Sequence, residues 1–147
     1  MLKLIVGDEC FNSAVQTYFD TFDGQACTVE DWLSVFRKTS NVDLEQFLLW
    51  YNQKGRPTVL VNAKYKRGTY VLNFEQKMLN KRAKPMLIPI TIGLLSDKGE
   101  EIRSNETILF SKKKQSFTFT DLHSKPIPSI LRAVSYTHLT LPTKRIV

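Results

Sequence analysis

The hydrophobic pattern of this chain changes period once, in the stretch from Asn41 to Val61. Before this stretch, apolar residues recur every three or four positions, which is the spacing of one helical face. After Pro57 they alternate with polar residues, which is typical of strands with one buried face. We therefore predict a helical segment over residues 1–55 and mostly β-structure after it, which is the α+β class.

Three amphipathic helices are predicted in the first segment. Each is expected to begin at a capping residue: Asp8, Thr28 and Asp43. Asp31, three residues after Thr28, completes a capping box. Gly24 and Gly55 are expected to end the first and the third helix, because glycine readily adopts the left-handed conformation found there.

The predicted helical faces are rich in large aromatic residues: Phe11, Tyr18, Phe19, Phe22, Trp32, Phe36, Phe47, Trp50 and Tyr51. A unit of roughly fifty residues buries only a modest part of its surface when it folds alone. We therefore expect these helices to pack against additional protein. The apolar opening from Leu2 to Val6 also resembles the end of a longer helix, so the chain is expected to begin inside a larger domain.

Short strands separated by turn signals are predicted after Pro57. They are expected at residues 58–63, 70–75, 88–94, 101–103, 107–110, 116–120 and 127–132. The strands at 107–110 and 116–120 are expected to form a hairpin around the lysines at 112–114. Pro89 and Pro128 indicate sheet edges or bulges, because proline cannot donate to a strand ladder. This spacing predicts an antiparallel β-sandwich of Ig-like topology.

Charge is distributed unevenly along the chain. Residues 1–55 have a net charge of −4, and residues 56–147 have a net charge of +11. One interpretation is a set of solvated, lysine-rich loops, which we favour because no predicted helix or strand carries the charge on one face. The alternative is a free-standing basic β-sandwich that binds an acidic partner such as RNA.

Composition argues against several other classes of protein. A hydrophobic content of 42% is that of a globular chain. No apolar run approaches the roughly 20 residues that cross a bilayer, and the opening from Met1 to Val6 is too short for a signal peptide. We therefore expect a cytoplasmic location and no membrane association. Cys10 and Cys27 are expected to be buried free thiols, because two cysteines do not make a disulfide framework.

The sequence contains no matched set of catalytic residues. A zinc-peptidase helix requires His-Glu-x-x-His, and the only histidines are His123 and His138. Cys27 precedes a helix but has no histidine near it in sequence. The acidic pairs Glu100-Glu101 and Asp43/Glu45 are explained by a turn and by a helix start. We assign no catalytic, cofactor-binding or metal-binding residue in this chain.

One basic segment interleaves aromatic residues with cations. It contains Tyr65, Lys66, Arg67 and Tyr70. Such a pattern could stack the bases of a single-stranded nucleic acid. Core aromatic residues alternating along a strand are the more common origin of this pattern, so nucleic acid is not expected as a partner.

Several distinctive segments follow one another along both halves of the chain: Tyr18-Phe19, Asp23-Gly24, Ser40 to Leu44, Trp50 to Gln53, Pro85 to Leu95, Phe117 to Phe119 and Pro126 to Arg132. Together they resemble the bacterial-type aminopeptidase N family of zinc metallopeptidases, also called alanyl aminopeptidases. The resemblance covers roughly residues 1–133. From Val134 onward the sequence departs from the family, so residues 134–147 are expected to be a non-native or disordered tail.

The resemblance implies that this chain is part of a larger enzyme built from several domains. Residues 1–55 would be the last helices of an incomplete thermolysin-like catalytic domain, and residues 56–133 an Ig-like β-sandwich. The zinc ligands and the catalytic residues would precede Met1, and a helical C-terminal domain would follow. The parent would use zinc to remove N-terminal residues from peptides. This fragment would be an inactive scaffold without zinc, and its partners would be the missing domains.

Overall fold

The computed structural model describes residues 1–78, 80 and 82–132. Leu79, Lys81, the predicted tail at 134–147 and the candidate His138 lie outside the described residues. The helices are α1 (Leu2–Val6), α2 (Asp8–Phe22), α3 (Val29–Ser40) and α4 (Leu49–Asn52), the last preceded by a 3₁₀ turn (Gln46–Leu48). The strands are β1 (Thr58–Lys66), β2 (Thr69–Lys77), β3 (Ile88–Leu95), β4 (Glu101–Phe110), β5 (Lys114–Phe119) and β6 (Ile127–Ile130). The predicted α+β class is confirmed.

The predicted capping box of α3 is present. The Asp31 N–H donates to Thr28 Oγ1 at 3.2 Å, and the Thr28 N–H donates to Asp31 Oδ2 at 2.9 Å. At the start of α2 the prediction is off by one residue, because Gly7 with φ 84° is the capping position. Asp8 lies in the first turn instead, 3.3 Å from the Lys3 ammonium.

The third predicted helix is much shorter than expected. Helical structure runs only from Gln46 to Asn52 and changes from 3₁₀ to α at Leu49. Asp43 does not cap it, because its Oδ1 accepts from the Glu45 N–H at 2.9 Å in a local turn. The helix ends before Gly55 because Gln53 is already extended, with ψ 124°.

The helices enclose a small apolar core. Its buried residues include Ala14, Leu33, Phe36, Leu44 and Phe47. Aromatic rings surround it: the Tyr18 and Trp32 centroids are 4.8 Å apart, and those of Trp32 and Phe36 are 4.4 Å apart. Two aromatic residues predicted on the apolar faces point outward instead, since Phe19 is 57% exposed and Tyr51 is 51% exposed.

The strands form two three-stranded antiparallel sheets, in the orders β1-β2-β5 and β4-β3-β6. The predicted alternation in β2 is confirmed, because Tyr70, Leu72 and Phe74 are buried between the sheets. They face a row of buried aliphatic residues on β3: Ile88, Ile90, Ile92 and Leu94. The sandwich core is therefore formed mainly by the two central strands.

The predicted hairpin around the lysines at 112–114 is wrong. The strands expected at 101–103 and 107–110 are one continuous strand, β4, which pairs with β3, whereas β5 pairs with β2 in the other sheet. The chain crosses between the sheets at residues 111–113. Aromatic rings from both sheets meet beside this crossing. The ring centroid of Phe74 lies 5.6 Å from the ring centroids of both Phe110 and Phe117.

Pro89 does not mark an edge strand, because β3 is the central strand of its sheet. The described residues of β6 pair with β3 from Ile92 to Leu95. Pro128 does lie in an edge strand, β6, as predicted. Among the described residues, no helix combines the length and the apolar character needed to cross a membrane.

Candidate functional site at the helix–sandwich junction

Residues 84–87 form a short connector that follows β2 in the sequence and leads into β3. In space, the connector lies where the helices meet the sandwich. Its backbone is not part of any helix or strand, so its polar groups need other partners. Gln53 supplies two of them: its Nε2 donates to the Lys84 carbonyl at 2.9 Å, and its Oε1 accepts from the Lys84 N–H at 2.8 Å. The Trp50 indole N–H donates to the Leu87 carbonyl at 2.8 Å. The helices therefore hold both ends of the connector.

Gln46 extends the same contact to the sandwich. Its Nε2 donates to the Pro85 carbonyl at 2.9 Å and to the Ser111 carbonyl at 2.6 Å. Ser111 begins the crossing between the sheets, so one amide ties the helical layer, the connector and the crossing together. Gln46, Trp50 and Gln53 are spaced four and three residues apart, which places them on one side of a helical turn.

Gln76 of β2 holds the connector from the sandwich side. Its Oε1 accepts from the Met86 N–H at 2.9 Å, and its Nε2 donates to the Met86 carbonyl at 2.7 Å. Gln76 is buried, and it occupies the next inward position after Tyr70, Leu72 and Phe74. A glutamine at an inward strand position is the sequence signal that reveals this role, and our sequence reasoning missed it, as it missed Gln46.

Apolar packing joins the two cores at the same place. Leu87 of the connector is buried in the helical core, and Leu49 of α4 packs against the sandwich core. Trp50 packs against both cores. Movement of the helices relative to the sandwich would break these contacts and the hydrogen bonds together.

An open cleft of 510 Å³ lies beside the junction. Its charged and amide-bearing lining residues are Asp43, Glu45, Gln46, Asn52 and Lys84. The Asp43 carboxylate accepts a hydrogen bond from the Glu45 N–H. Among the described residues, the lining includes no histidine, cysteine or hydroxyl side chain.

The basic aromatic segment of β1 and β2 is built into the sandwich. Tyr70 is 1% exposed, and burial raises the pKa of its hydroxyl above the ordinary value. The Tyr65 hydroxyl donates to the Leu122 carbonyl at 3.0 Å. Tyr70 thus belongs to the core, as the favoured interpretation predicts, and its ring is not available for base stacking.

The remaining candidate residues are not brought together. His123 is exposed in the loop between β5 and β6, and Glu101 forms an ion pair with Arg132. Cys10 and Cys27 are free thiols as predicted, although each is half-buried rather than buried. The described parts of the chain contain no group of three or more His, Cys, Asp or Glu side chains that could hold a metal ion.

Comparison with known proteins places the sandwich in a family. Residues 55–138 match the family described as "Domain of unknown function (DUF3458) Ig-like fold". The chain belongs to this DUF3458 family. The predicted Ig-like topology is therefore confirmed, and the matched range begins where the helices end.

Relatives of this DUF3458 chain also match its helical segment. Aminopeptidase N of Escherichia coli (strain K12) is 31% identical over 144 residues, and the alignment covers 89% of this chain and 17% of that protein. Aminopeptidase N of Caulobacter vibrioides is 33% identical over 141 residues, covering 92% of this chain and 16% of that protein. The resemblance to aminopeptidase N is thereby confirmed.

A solved structure agrees with these alignments. The crystal structure of Legionella pneumophila aminopeptidase A in complex with aspartic acid matches with a TM-score of 0.80 and 32% identity. The match covers 88% of this chain and 15% of that chain. The chain thus spans between about one seventh and one sixth of the length of these proteins.

Proposed function

We propose that this chain is an interdomain scaffold within a zinc-dependent aminopeptidase. Residues 1–55 would be the last helices of the catalytic domain, and residues 56–133 the Ig-like sandwich that braces them. The whole enzyme would remove N-terminal residues from peptides that have a free α-amine. Similarity to aminopeptidases over both the helices and the sandwich supports this assignment.

The observation that carries the scaffold role is the double anchoring of the connector. Side chains from the helices and from β2 bond to its backbone across sequence separations of 10 to 39 residues. Such contacts fix the orientation of the helices on the sandwich, because hydrogen bonds from these amide and indole groups are short and directed. A rigid angle between two structural units is what a brace between domains requires.

The aromatic side chains that the helices leave uncovered support the proposal that further protein packs against them. Phe19 and Tyr51 are exposed, and Phe11, Tyr18, Phe22 and Trp32 are only half-buried. Aromatic side chains contribute most to stability when they are fully covered. In the proposed enzyme, the rest of the catalytic domain would cover these side chains.

Zinc would be bound elsewhere in the longer protein. The described residues offer no suitable group of ligands, so they do not fit a zinc site, and we derive no catalytic step from them. The proposal therefore assigns this chain no metal, no catalytic residue and no hydrolytic activity of its own. A cytoplasmic location is part of the same proposal.

A chimera tests the scaffold role. The segment of Escherichia coli aminopeptidase N that matches this chain would be replaced by residues 1–132, and hydrolysis of an alanyl reporter would be measured before and after heating. We expect activity, and we expect Gln46→Leu combined with Trp50→Phe to lower its thermal resistance. The matched control, Gln16→Leu, alters an exposed glutamine whose side-chain amide donates to the Asp20 carboxylate.

Two results would contradict the proposal. One is a chimera in which the junction variant and the control variant lose activity at the same temperature. The other is stoichiometric zinc binding or chelator-sensitive peptide cleavage by the isolated chain.

A further inference from the structure

Exposed cations gather at one end of the sandwich. We call this the junction end, because it is the end where the helices meet the sandwich. Strands β1, β3 and β5 begin there, and β2 and β4 end there: Thr58 pairs with Lys77, Lys114 with Glu75, and Ile88 with Phe110. The cations there are Lys54, Arg56, Lys77, Arg82, Lys84, Lys112, Lys113 and Lys114, and all of them are exposed. Their backbones are held together by the junction itself, since Lys84 bonds to Gln53, and the Lys113 carbonyl accepts from the Gln76 N–H at 2.9 Å.

The opposite end of the sandwich does not share this excess. Its loops carry Lys66, Arg67, Lys98 and Lys125 together with Asp97, Glu100 and Asp121. At the junction end, the acidic side chains are Glu75, which lies 3.5 Å from the Lys114 ammonium, and Asp43 and Glu45 in the cleft. The positive charge of the sandwich is therefore polarised toward the junction end.

We propose that the junction end binds an acidic polypeptide segment. Six of its eight cations are lysines, whose flexible ammonium groups can each meet a separate carboxylate. Electrostatic steering by such a cluster also speeds encounter with an acidic partner. This binding surface goes beyond the scaffold role and does not depend on it.

A polypeptide fits the junction end better than a nucleic acid does. The cation-bearing segments, residues 53–57, 77, 82–87 and 111–114, contain no aromatic residue, and Tyr51 beside them is the one exposed ring of α4, whereas single-stranded nucleic acids are bound by several stacked aromatic side chains. Asp43, Glu45 and Lys84 all line the cleft, so the cleft itself is not uniformly positive. A peptide can place separate carboxylates on the lysines that lie outside this cleft.

Fluorescence anisotropy of a labelled poly-L-glutamate peptide with the full chain tests the proposal. We expect binding at low salt that weakens steeply as salt is added, because exposed charges are screened. The variant Lys84→Gln/Lys112→Gln/Lys113→Gln should lose about tenfold in affinity, or about 1.4 kcal/mol, which is the expected sum of three exposed ion pairs.

The matched control is Lys66→Gln/Lys98→Gln/Lys125→Gln, which removes the same net charge from the opposite end. It should change the affinity by less than about twofold. All six lysines are exposed, so both variants should keep the wild-type circular dichroism. If the junction variant does not fold, Lys77→Gln/Arg82→Gln serves in its place, with an expected loss of several-fold.

Three outcomes would overturn the proposal. They are equal losses in the junction and control variants, undetectable binding of poly-L-glutamate at low salt, and binding of a single-stranded RNA of matched charge as tightly as the peptide. The last outcome would identify the surface as a nucleic-acid site instead.

Discussion

Replacing Gln46 by leucine removes the amide that joins the helices to both the connector and the sheet crossing. The two carbonyl oxygens it serves, of Pro85 and Ser111, lie 2.9 and 2.6 Å from its Nε2. A neutral hydrogen bond contributes about 0.5–1.5 kcal/mol net, and leucine fills a similar volume without offering a donor. We therefore expect Gln46→Leu to lower the free energy of unfolding by about 1–3 kcal/mol.

Urea unfolding, followed by circular dichroism at helical wavelengths and by tryptophan fluorescence, measures this loss. Trp32 lies beside the helical core and Trp50 in the junction, so a Trp32→Phe background is used in every variant to make fluorescence report on the junction, whereas circular dichroism reports on the helices. In the wild-type chain we expect both signals to change in one transition. In Gln46→Leu, we expect the midpoint to fall with little change in slope, because the surface exposed on unfolding is nearly the same.

Gln16→Leu provides the comparison, since Gln16 is exposed and its Nε2 donates to Asp20 Oδ1, on the same helix, at 2.9 Å. A surface change of this kind should stay within about 0.5 kcal/mol of the wild type. The reasoning would be refuted if the two leucine variants unfolded at the same urea concentration. Separate helix and tryptophan transitions in the wild type would also refute it, because the helices would then be uncoupled from the sandwich.

Three further changes test the rest of the fold. Thr28→Ala should lower the free energy of unfolding by about 1 kcal/mol, because it removes the α3 cap. Hydrogen bonds from the Thr28 backbone and hydroxyl lower the pKa of Asp31 below its ordinary value of 3.8, so the stability that the hydroxyl contributes is present above pH 3.8 and is lost as the pH falls through the lower folded-state pKa. Thermal melts of the wild type and of Thr28→Ala between neutral and acidic pH would measure this loss. Leu72→Ala should cost about 2–5 kcal/mol in urea unfolding because Leu72 is fully buried between the sheets. Phe19→Ser should be nearly neutral in the isolated chain, whereas Phe36→Ala should cost about 3–5 kcal/mol, and equal effects on the melting temperature would contradict the assigned burial.

Local signals in the sequence predicted local structure well. The capping box of Thr28 and Asp31 depends on residues three positions apart, and the inward row of Tyr70, Leu72 and Phe74 depends on period-two alternation alone. Both were correct because no distant contact competes with them. The helix expected from Asp43 was wrong for the opposite reason, since Gln53 leaves the helix to bond with Lys84, which is 31 residues away.

Features that depend on the pairing of distant segments could not be predicted. The lysines at 112–114 look like a hairpin loop, but the partner of each flanking strand is chosen by packing between the sheets, which the local pattern does not encode. The junction was also hidden, because Gln46 and Gln76 resemble ordinary surface glutamines until their acceptors are known. The resemblance to aminopeptidases indicated the two parts of the chain, but not the bonds that join them.

The reach of Gln46 to Ser111 also has a consequence for synthesis on the ribosome. The acceptor lies 65 residues after the donor, so at about 5–20 residues per second it is made about 3–13 seconds later. During that interval the nascent helices can bond to the connector at residues 84–87 but lack the contact with Ser111 that ties them to the sheet crossing. Slowing translation between codons 46 and 111 would lengthen this interval.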